Sequence, residues 1–287
     1  MPLDHNKRIV VGVDGSHLSG TAVRWAARTA GLRGFDLHLV HAMAGDMPLL
    51  GFGERDNAGL IRGQGVALLD SARAQAHAVD PDITITTSCQ KGFASKALLR
   101  ASTGTAGIVV GAHGHGTLSR ASAGAVAVQV ATHAKCPVAV VPRETPPTDD
   151  HGVVLVGIDG SAAAGRALTR GFEHARVRGS RLHVIHAWNA RGADANSKAP
   201  AAWDDYTAEV EDRVASTLAT ARRENPAVTV DTEVVQGDPR RVLEDHSTRS
   251  DLAVIGARGD GGFPGLHMGR VALHLMAHSA CPVVLSR

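Results

Sequence analysis

The chain is poor in the features that usually announce a specialised protein. Its 287 residues hold three cysteines, an odd number with no Cys-x-x-Cys pair, which argues against a disulfide scaffold or a zinc knuckle. Aromatic residues make up 3%, too few for a platform on which nucleic-acid bases stack. Lys and Arg together number 30 against 28 Asp and Glu, a formal charge of +2 spread along the chain, so no basic groove for nucleic acid is expected. No stretch approaches the ~20 apolar residues of a membrane span. The start, Met1-Pro2-Leu3-Asp4-His5-Asn6-Lys7-Arg8, lacks the apolar centre of a signal peptide and runs straight into a strand pattern. The expectation is a cytoplasmic protein that binds neither nucleic acid nor membrane. Catalytic signatures are missing too: there is no Walker Gly-x4-Gly-Lys-[Ser/Thr], no Gly-x-Ser-x-Gly elbow and no carboxylate pair at acid–base spacing. No catalytic residue is assigned, and the expectation is a protein that is not an enzyme.

What is present is said twice. Ile9-Val10-Val11-Gly12-Val13-Asp14-Gly15-Ser16 returns as Val154-Leu155-Val156-Gly157-Ile158-Asp159-Gly160-Ser161, a lag of 145 residues. His38-Leu39-Val40-His41-Ala42 returns as His183-Val184-Ile185-His186-Ala187, and Cys136-Pro137-Val138 as Cys281-Pro282-Val283, at the same lag. Solenoid repeats run at roughly 20–50 residues, so a lag this long means a duplicated domain. The polar, Pro-rich stretch Pro142-Arg143-Glu144-Thr145-Pro146-Pro147 leads out of the first copy. It sets the boundaries at 1–142 and 153–287, with 143–152 as linker.

Within each copy, short apolar runs alternate with helix-period stretches. The first copy has strand patterns at Arg8–Val13, Asp36–His41, Ile83–Ser88, Ala106–Val110 and Pro137–Val141. The second has them at Val153–Ile158, Arg181–His186, Val228–Val235, Leu252–Ile255 and Pro282–Leu285. Runs such as Ile108-Val109-Val110 are apolar at every position, as in parallel strands covered on both faces. Helices are expected at Trp203–Glu224, where Tyr206, Val210, Val214 and Leu218 recur every fourth residue, and at Arg240–His246 behind Asp238-Pro239. The partner helix Asn57–Val79 is weakened by Gly59, Gly63 and Gly65. Strand–helix alternation predicts two α/β domains, each a doubly wound parallel sheet.

After the fourth strand of each copy the chain turns glycine-rich. Gly111-Ala112-His113-Gly114-His115-Gly116 is answered by Gly256-Ala257-Arg258-Gly259-Asp260-Gly261. Nine residues separate Gly114 from Gly124, and nine separate Gly259 from Gly269. Glycines there let backbone approach a ligand closely, and successive N–H groups form an anion nest. Gly124 and Gly269 stand where the next helix begins, so its N-terminus can face phosphate. Gly12-Val13-Asp14 and Gly157-Ile158-Asp159 leave the first strands at the rim where such sheets bind ligands. A dinucleotide fold would carry its glycines after the first strand, not the fourth.

These motifs resemble the universal stress protein family, in the form with two such domains in one chain. The resemblance rests on the first-strand Gly-x-Asp-Gly-Ser, the Val-x-Gly-x-x-Gly strand–loop and the closing Cys-Pro-Val, and it covers almost the whole chain. It implies five parallel strands per domain, of the adenine nucleotide alpha hydrolase-like type, and an intramolecular pseudo-dimer, with room for further pairing of whole chains. It also implies an adenine nucleotide as ligand, ATP first with AMP or ADP as alternatives, and Mg2+ carried on the phosphates. By the same resemblance Asp14 and Asp159 approach the nucleotide, and Val13, Ala42, Ile158 and Ala187 stand near the adenine. Gly111, Gly114, Gly124 and Val126 then line the phosphate path in copy one, and Gly256, Gly259, Gly269 and Val271 in copy two. The family's ATP-binding branch carries Gly-x2-Gly-x9-Gly-[Ser/Thr]; the three glycines match, but the closing hydroxyl residue is Ala125 in one copy and Arg270 in the other. Arg270 is expected either to pair with phosphate or to fill the pocket.

Blander assignments compete for several of these residues. Asp14 and Asp159 suit an Asx turn, and Ser16 and Ser161 suit helix N-caps. His113, His115 and Arg258 sit in the phosphate loops, where contact with phosphate and simple solvation are both open. His38 and His41 differ by three, so on a strand they face opposite sides and cannot hold one metal; they and their copies are read as structural, and no metal ligand is assigned. Cys136 and Cys281 are read as small buried groups. Two functions follow: a regulatory module whose nucleotide occupancy alters a surface for an unidentified protein partner, or a protein–protein adaptor of the same fold with decayed pockets. A slow ATPase ranks third.

Overall fold

The computed structural model describes residues 7–43, 54–114, 122–142, 151–188, 200–259 and 268–287, without the side chains of 54–58, 60–61 and 200–207. The chain divides into two compact units, Met1–Thr145 and Pro146–Arg287. Most of the expected linker, 143–150, lies outside the described residues, as does the side chain of Tyr206.

Unit one runs β1 (Arg8–Gly12), α1 (His17–Arg33), β2 (Asp36–Met43), α2 (Glu54–His77), β3 (Ile85–Lys91), α3 (Ala94–Ala101), β4 (Gly107–Gly111), α4 (Ala125–His133) and β5 (Val138–Val141). Its strands lie in the order β3-β2-β1-β4-β5, each pair parallel. Unit two repeats the plan with β6 (Val153–Gly157), α5 (Ala162–Arg178), β7 (Arg181–Trp188), α6 (Pro200–Glu224), β8 (Val230–Gln236), α7 (Pro239–Ser247), β9 (Leu252–Gly256), α8 (Arg270–His278) and β10 (Val283–Ser286). Its order is β8-β7-β6-β9-β10, again all parallel. Two doubly wound, five-stranded parallel sheets are therefore what the alternation predicted.

The central strands are dry on both faces: Val10, Val11, Ile108, Val154, Leu155 and Val254 have no exposed surface. That explains why their sequences show no polar alternation. Helix α1 packs through Ala22, Ala26 and Ala30, and α5 through Ala167, Phe172 and Ala175, all at most 1% exposed. The alanines of that stripe, and on α5 Gly171, where a Cβ would overlap Val156, bring the helices close to the sheet. Each of these two helices is started by a serine whose hydroxyl accepts from a first-turn N–H, Ser16 from Ser19 and Ser161 from Ala164, both at 3.1 Å. Each is stopped by a glycine in the left-handed region, Gly34 at φ 62° and Gly179 at φ 64°.

Two expectations shift at their edges. β2 and β7 run two residues beyond the apolar pattern, and β3 and β8 each begin two residues later than expected and run on to Lys91 and Gln236. The ladder continues through Ala42↔Gln90 and Met43↔Lys91 because backbone pairing on an outer strand needs no apolar side chain. Helix α2 forms despite its three glycines. A Cβ at Gly65 would lie 2.8 Å from Cys89 Sγ and 2.9 Å from His41 Cδ2, so this glycine lets α2 settle on β2 and β3. The ~1 kcal/mol propensity cost of a helical glycine is set against that packing.

Candidate functional site

The chain leaves β1 for β2 on one side of the sheet and returns to β4 on the other, so the loops after β1 and β4 part company. The crevice at such a switch point is where open α/β sheets hold ligands. In unit one it is a cavity of about 360 Å³. Gly12, Val13 and Asp14 form one wall; Val40 and Ala42 of β2 extend it. The loop Gly111 to Gly114 forms the other, and Gly124 to Ala127, the start of α4, closes the end. Every site residue expected in the first copy lines this one cavity, apart from His115, which lies outside the described residues. Reading the motifs missed Ser19, Ala94 and Leu98, which also face it. Leu98 left no signal in the chain: only in the fold would a Cβ at Gly12 sit 3.1 Å from its Cδ1, so that the glycine at the end of β1 admits α3.

Local bonds hold the walls in place. Val13 N–H donates to Val40 (2.9 Å), Ala112 N–H to Val141 (2.9 Å) and Gly124 N–H to Ala112 (2.7 Å). His41 Nδ1 donates to the Val13 carbonyl at 2.8 Å, which gives this strand histidine a structural task. Gly15 takes φ 81°, a turn only glycine adopts freely, and carries the chain from β1 into α1. Asp14 spans both readings open to it. Its Oδ1 accepts from Ser16 N–H at 2.9 Å, closing an Asx turn, while its Oδ2 lies against Gly114 across the crevice. A side chain at Gly114 would overlap that carboxylate. Likewise, a Cβ at Gly111 would come within 3.0 Å of Leu18.

Unit two repeats this frame atom for atom at several points. Ile158 N–H donates to Ile185 (2.9 Å), Gly269 N–H to Ala257 (2.9 Å), and Asp159 Oδ1 accepts from Ser161 N–H (3.0 Å). Asp159 Oδ2 lies against Gly259, and a Cβ at Gly157 would meet Leu243, the counterpart of Leu98, at 2.8 Å. His186 bonds to the backbone of Ile158, and its burial pulls the imidazole below the usual histidine range. Ala187 pairs with Val235 one residue before the end of β7, and Val271 follows Arg270 in the first turn of α8. Arg258 and Arg270 are both exposed where unit one has half-buried His113 and the small Ala125.

Chemically the crevice has two ends. Val13, Val40, Ala42 and Leu98 offer an apolar slot for a flat ring. The backbone of Gly111 to Gly114 and the first turn of α4, whose cap residue Gly124 has no side chain to bond the helix N–H groups, offer donors and a positive dipole end. Asp14 is an acceptor with a negative charge, which suits hydroxyl or amino donors and repels phosphate. The cysteines stand apart from this chemistry: Cys136 and Cys281 are buried and form no disulfide, and burial pushes the Cys281 thiol up to about 12.

One constellation was not legible in the motifs. His183 of β7, read as structural, meets Glu233 of β8, its Nε2 3.1 Å from Oε2, and His246 of α7 comes to 3.8 Å from the same oxygen. The three residues are separated by 50 and 13 positions in the chain, so no spacing in one element could reveal them.

Comparison with known proteins agrees with this architecture. The Usp profile, described as the Universal stress protein family, matches residues 5–142 and again 152–287. A universal stress protein of Mycobacterium tuberculosis is 33% identical over 305 aligned residues, spanning 98% of this chain and 95% of that protein. One from Mycolicibacterium smegmatis is 30% identical over 289, spanning 97% and 96%. Among solved structures, a universal stress protein from Archaeoglobus fulgidus superposes with a TM-score of 0.74 at 18% identity, covering 98% of both chains. Repeated fold, repeated loop frame and repeated match point the same way: this chain belongs to the universal stress protein family and carries two of its domains in tandem.

Proposed function

We propose that each unit binds an adenine nucleotide, ATP foremost, and that occupancy regulates a surface read by a partner protein. The cavity of unit one carries this reading. Its apolar slot suits adenine, Asp14 suits the hydroxyls of the ribose, and the Gly111–Gly114 loop with the α4 N-terminus suits the phosphates. Position 125 has no hydroxyl to offer phosphate or metal, and Asp14 Oδ1 is engaged by Ser16. Magnesium in this reading travels on the phosphates rather than on protein ligands. In unit two, Arg270 stands at the first residue of α8, where the helix dipole disfavours a cation by about 0.3–1 kcal/mol. A bound phosphate removes that penalty and accepts a bidentate bond from the guanidinium. The two sites are therefore unequal, with unit two favouring the more highly charged nucleotide. Among the described residues of the crevice no nucleophile stands with a base, and we read the role as binding.

The adaptor reading draws on the lost hydroxyls at positions 125 and 270. Protein purified without added nucleotide, then denatured and analysed by mass spectrometry, separates the two. Adenine nucleotide released at up to two per chain supports the module. None released, with no heat on adding ATP and magnesium, leaves the adaptor.

A further inference from the structure

We propose that His183, Glu233 and His246 form a binding site for a divalent transition-metal ion of the zinc class in unit two. The site is independent of the nucleotide crevice. His183 precedes Ala187 by four residues on β7, about 13 Å along a strand, so it lies toward the opposite end of the sheet. His246 stands in the last turn of α7, the helix that packs on β6 and β7.

The donors suit zinc. Two imidazole nitrogens and one carboxylate oxygen are an open, three-ligand set, leaving a fourth position for water. The ligand atoms all lie within 4.8 Å of one another. A tetrahedral zinc with bonds of about 2.0–2.2 Å needs ligand edges of roughly 3.3 Å. The two edges to Glu233 Oε2 measure 3.1 and 3.8 Å and bracket that value. Both imidazoles turn Nε2 toward the one oxygen, and their rings meet edge-on with centroids 5.2 Å apart. The side chains of His183 and His246 are 22% and 15% exposed, whereas Glu233 at 44% leaves the open side to solvent. The ion thus has an approach and room for its water.

The duplication supplies a natural control. The matching positions in unit one are His38, Ser88 and Ala101. There His38 spends its ring on hydroxyls, Nδ1 with Thr86 Oγ1 at 2.8 Å and Nε2 with Ser88 Oγ at 3.2 Å. Unit two has a carboxylate in place of each hydroxyl, Asp231 for Thr86 and Glu233 for Ser88, and adds an imidazole from a third element. Asp231 lies 3.6 Å from Arg181, and the His183 cluster is the one such group among the described residues. The ion would tie α7 to β7 and β8, whereas in unit one the His38–Thr86 and His38–Ser88 bonds link β2 to β3 and Ala101 offers α3 no ligand.

The test uses the full chain, stripped with chelator and free of nucleotide, so it stands whether or not the nucleotide reading survives. Cobalt(II) is titrated as a spectroscopic probe and then displaced by zinc. The parent should show the intense visible bands of four-coordinate cobalt at one ion per chain, and zinc should raise its melting temperature. His246→Ala and Glu233→Gln should abolish the bands and the shift, while His38→Asn should keep both. Glu233→Gln changes an exposed side chain and guards against a folding artefact. Absent bands in the parent, or equal bands and shifts in the parent and Glu233→Gln, would overturn the site.

Discussion

Units one and two share a backbone and differ in what decorates it. The Asx turn, serine cap, glycine stop, crevice glycines and strand order recur at one register. The side chains around them do not: Ala125 corresponds to Arg270, His113 to Arg258, and His38 with Ser88 and Ala101 to His183 with Glu233 and His246. The difference teaches that the retained part is what backbone amides and close packing require. On the proposed reading, the part free to change is where charge would set which nucleotide binds and how tightly. Duplication of a crevice built from main chain leaves room for such divergence, because backbone donors survive any side chain that avoids overlap.

The sharpest way to break the comparison is at the crevice glycines. Gly114→Val drives a side chain into the Asp14 carboxylate, and Gly259→Val does the same to Asp159. Each should lower ATP affinity of its own unit by at least about 100-fold, some 2.7 kcal/mol, and leave the other unit's binding isotherm intact. Equal loss at both sites from one change would mean the units do not bind separately.

Next in size is the charge difference. Arg270→Ala should weaken the unit-two site by roughly 1.5–3 kcal/mol, ten- to a hundredfold in calorimetry, the contribution of a charged hydrogen bond. Ala125→Ser should strengthen unit one by about 1 kcal/mol, roughly fivefold. If these changes made the two sites no more alike, Arg270 would not be the source of the asymmetry.

Smaller effects test the shared frame. Ser16→Ala and Ser161→Ala each remove one cap bond and should cost about 1 kcal/mol in urea unfolding, nearly equal in the two units. The smallest is a pH effect. Burial lowers the folded pKa of His186, so its neutral form is favoured in the fold and its contribution is fully present above the unfolded value of 6.5. Stability should fall as pH drops below 6.5, because the unfolded chain takes up the proton first. His186→Asn should flatten that part of the profile.

Much of this architecture was legible beforehand, for physical reasons. Strands buried on both faces must be apolar throughout, so Val10, Ile108 and Val254 declare themselves. A switch point follows from strand order, and glycines mark where main chain must come close, which located most of the crevice residues. Strand ends were less visible, since the pairing of Met43 with Lys91 is made by backbone and leaves no apolar trace. Leu98 was hidden because its task is to meet Gly12 from a helix 86 residues away. His246 was hidden for the same reason: its meaning lies in Glu233 and His183, and only the fold brings them together.

The central claim is that two working, unequal nucleotide sites sit on one repeated frame. Isothermal titration of ATP with magnesium into nucleotide-stripped protein tests it most directly. The account predicts two binding events of different affinity, with the tighter one weakened by Arg270→Ala. No binding heat up to millimolar ATP, or a single event untouched by Arg270→Ala, would contradict it.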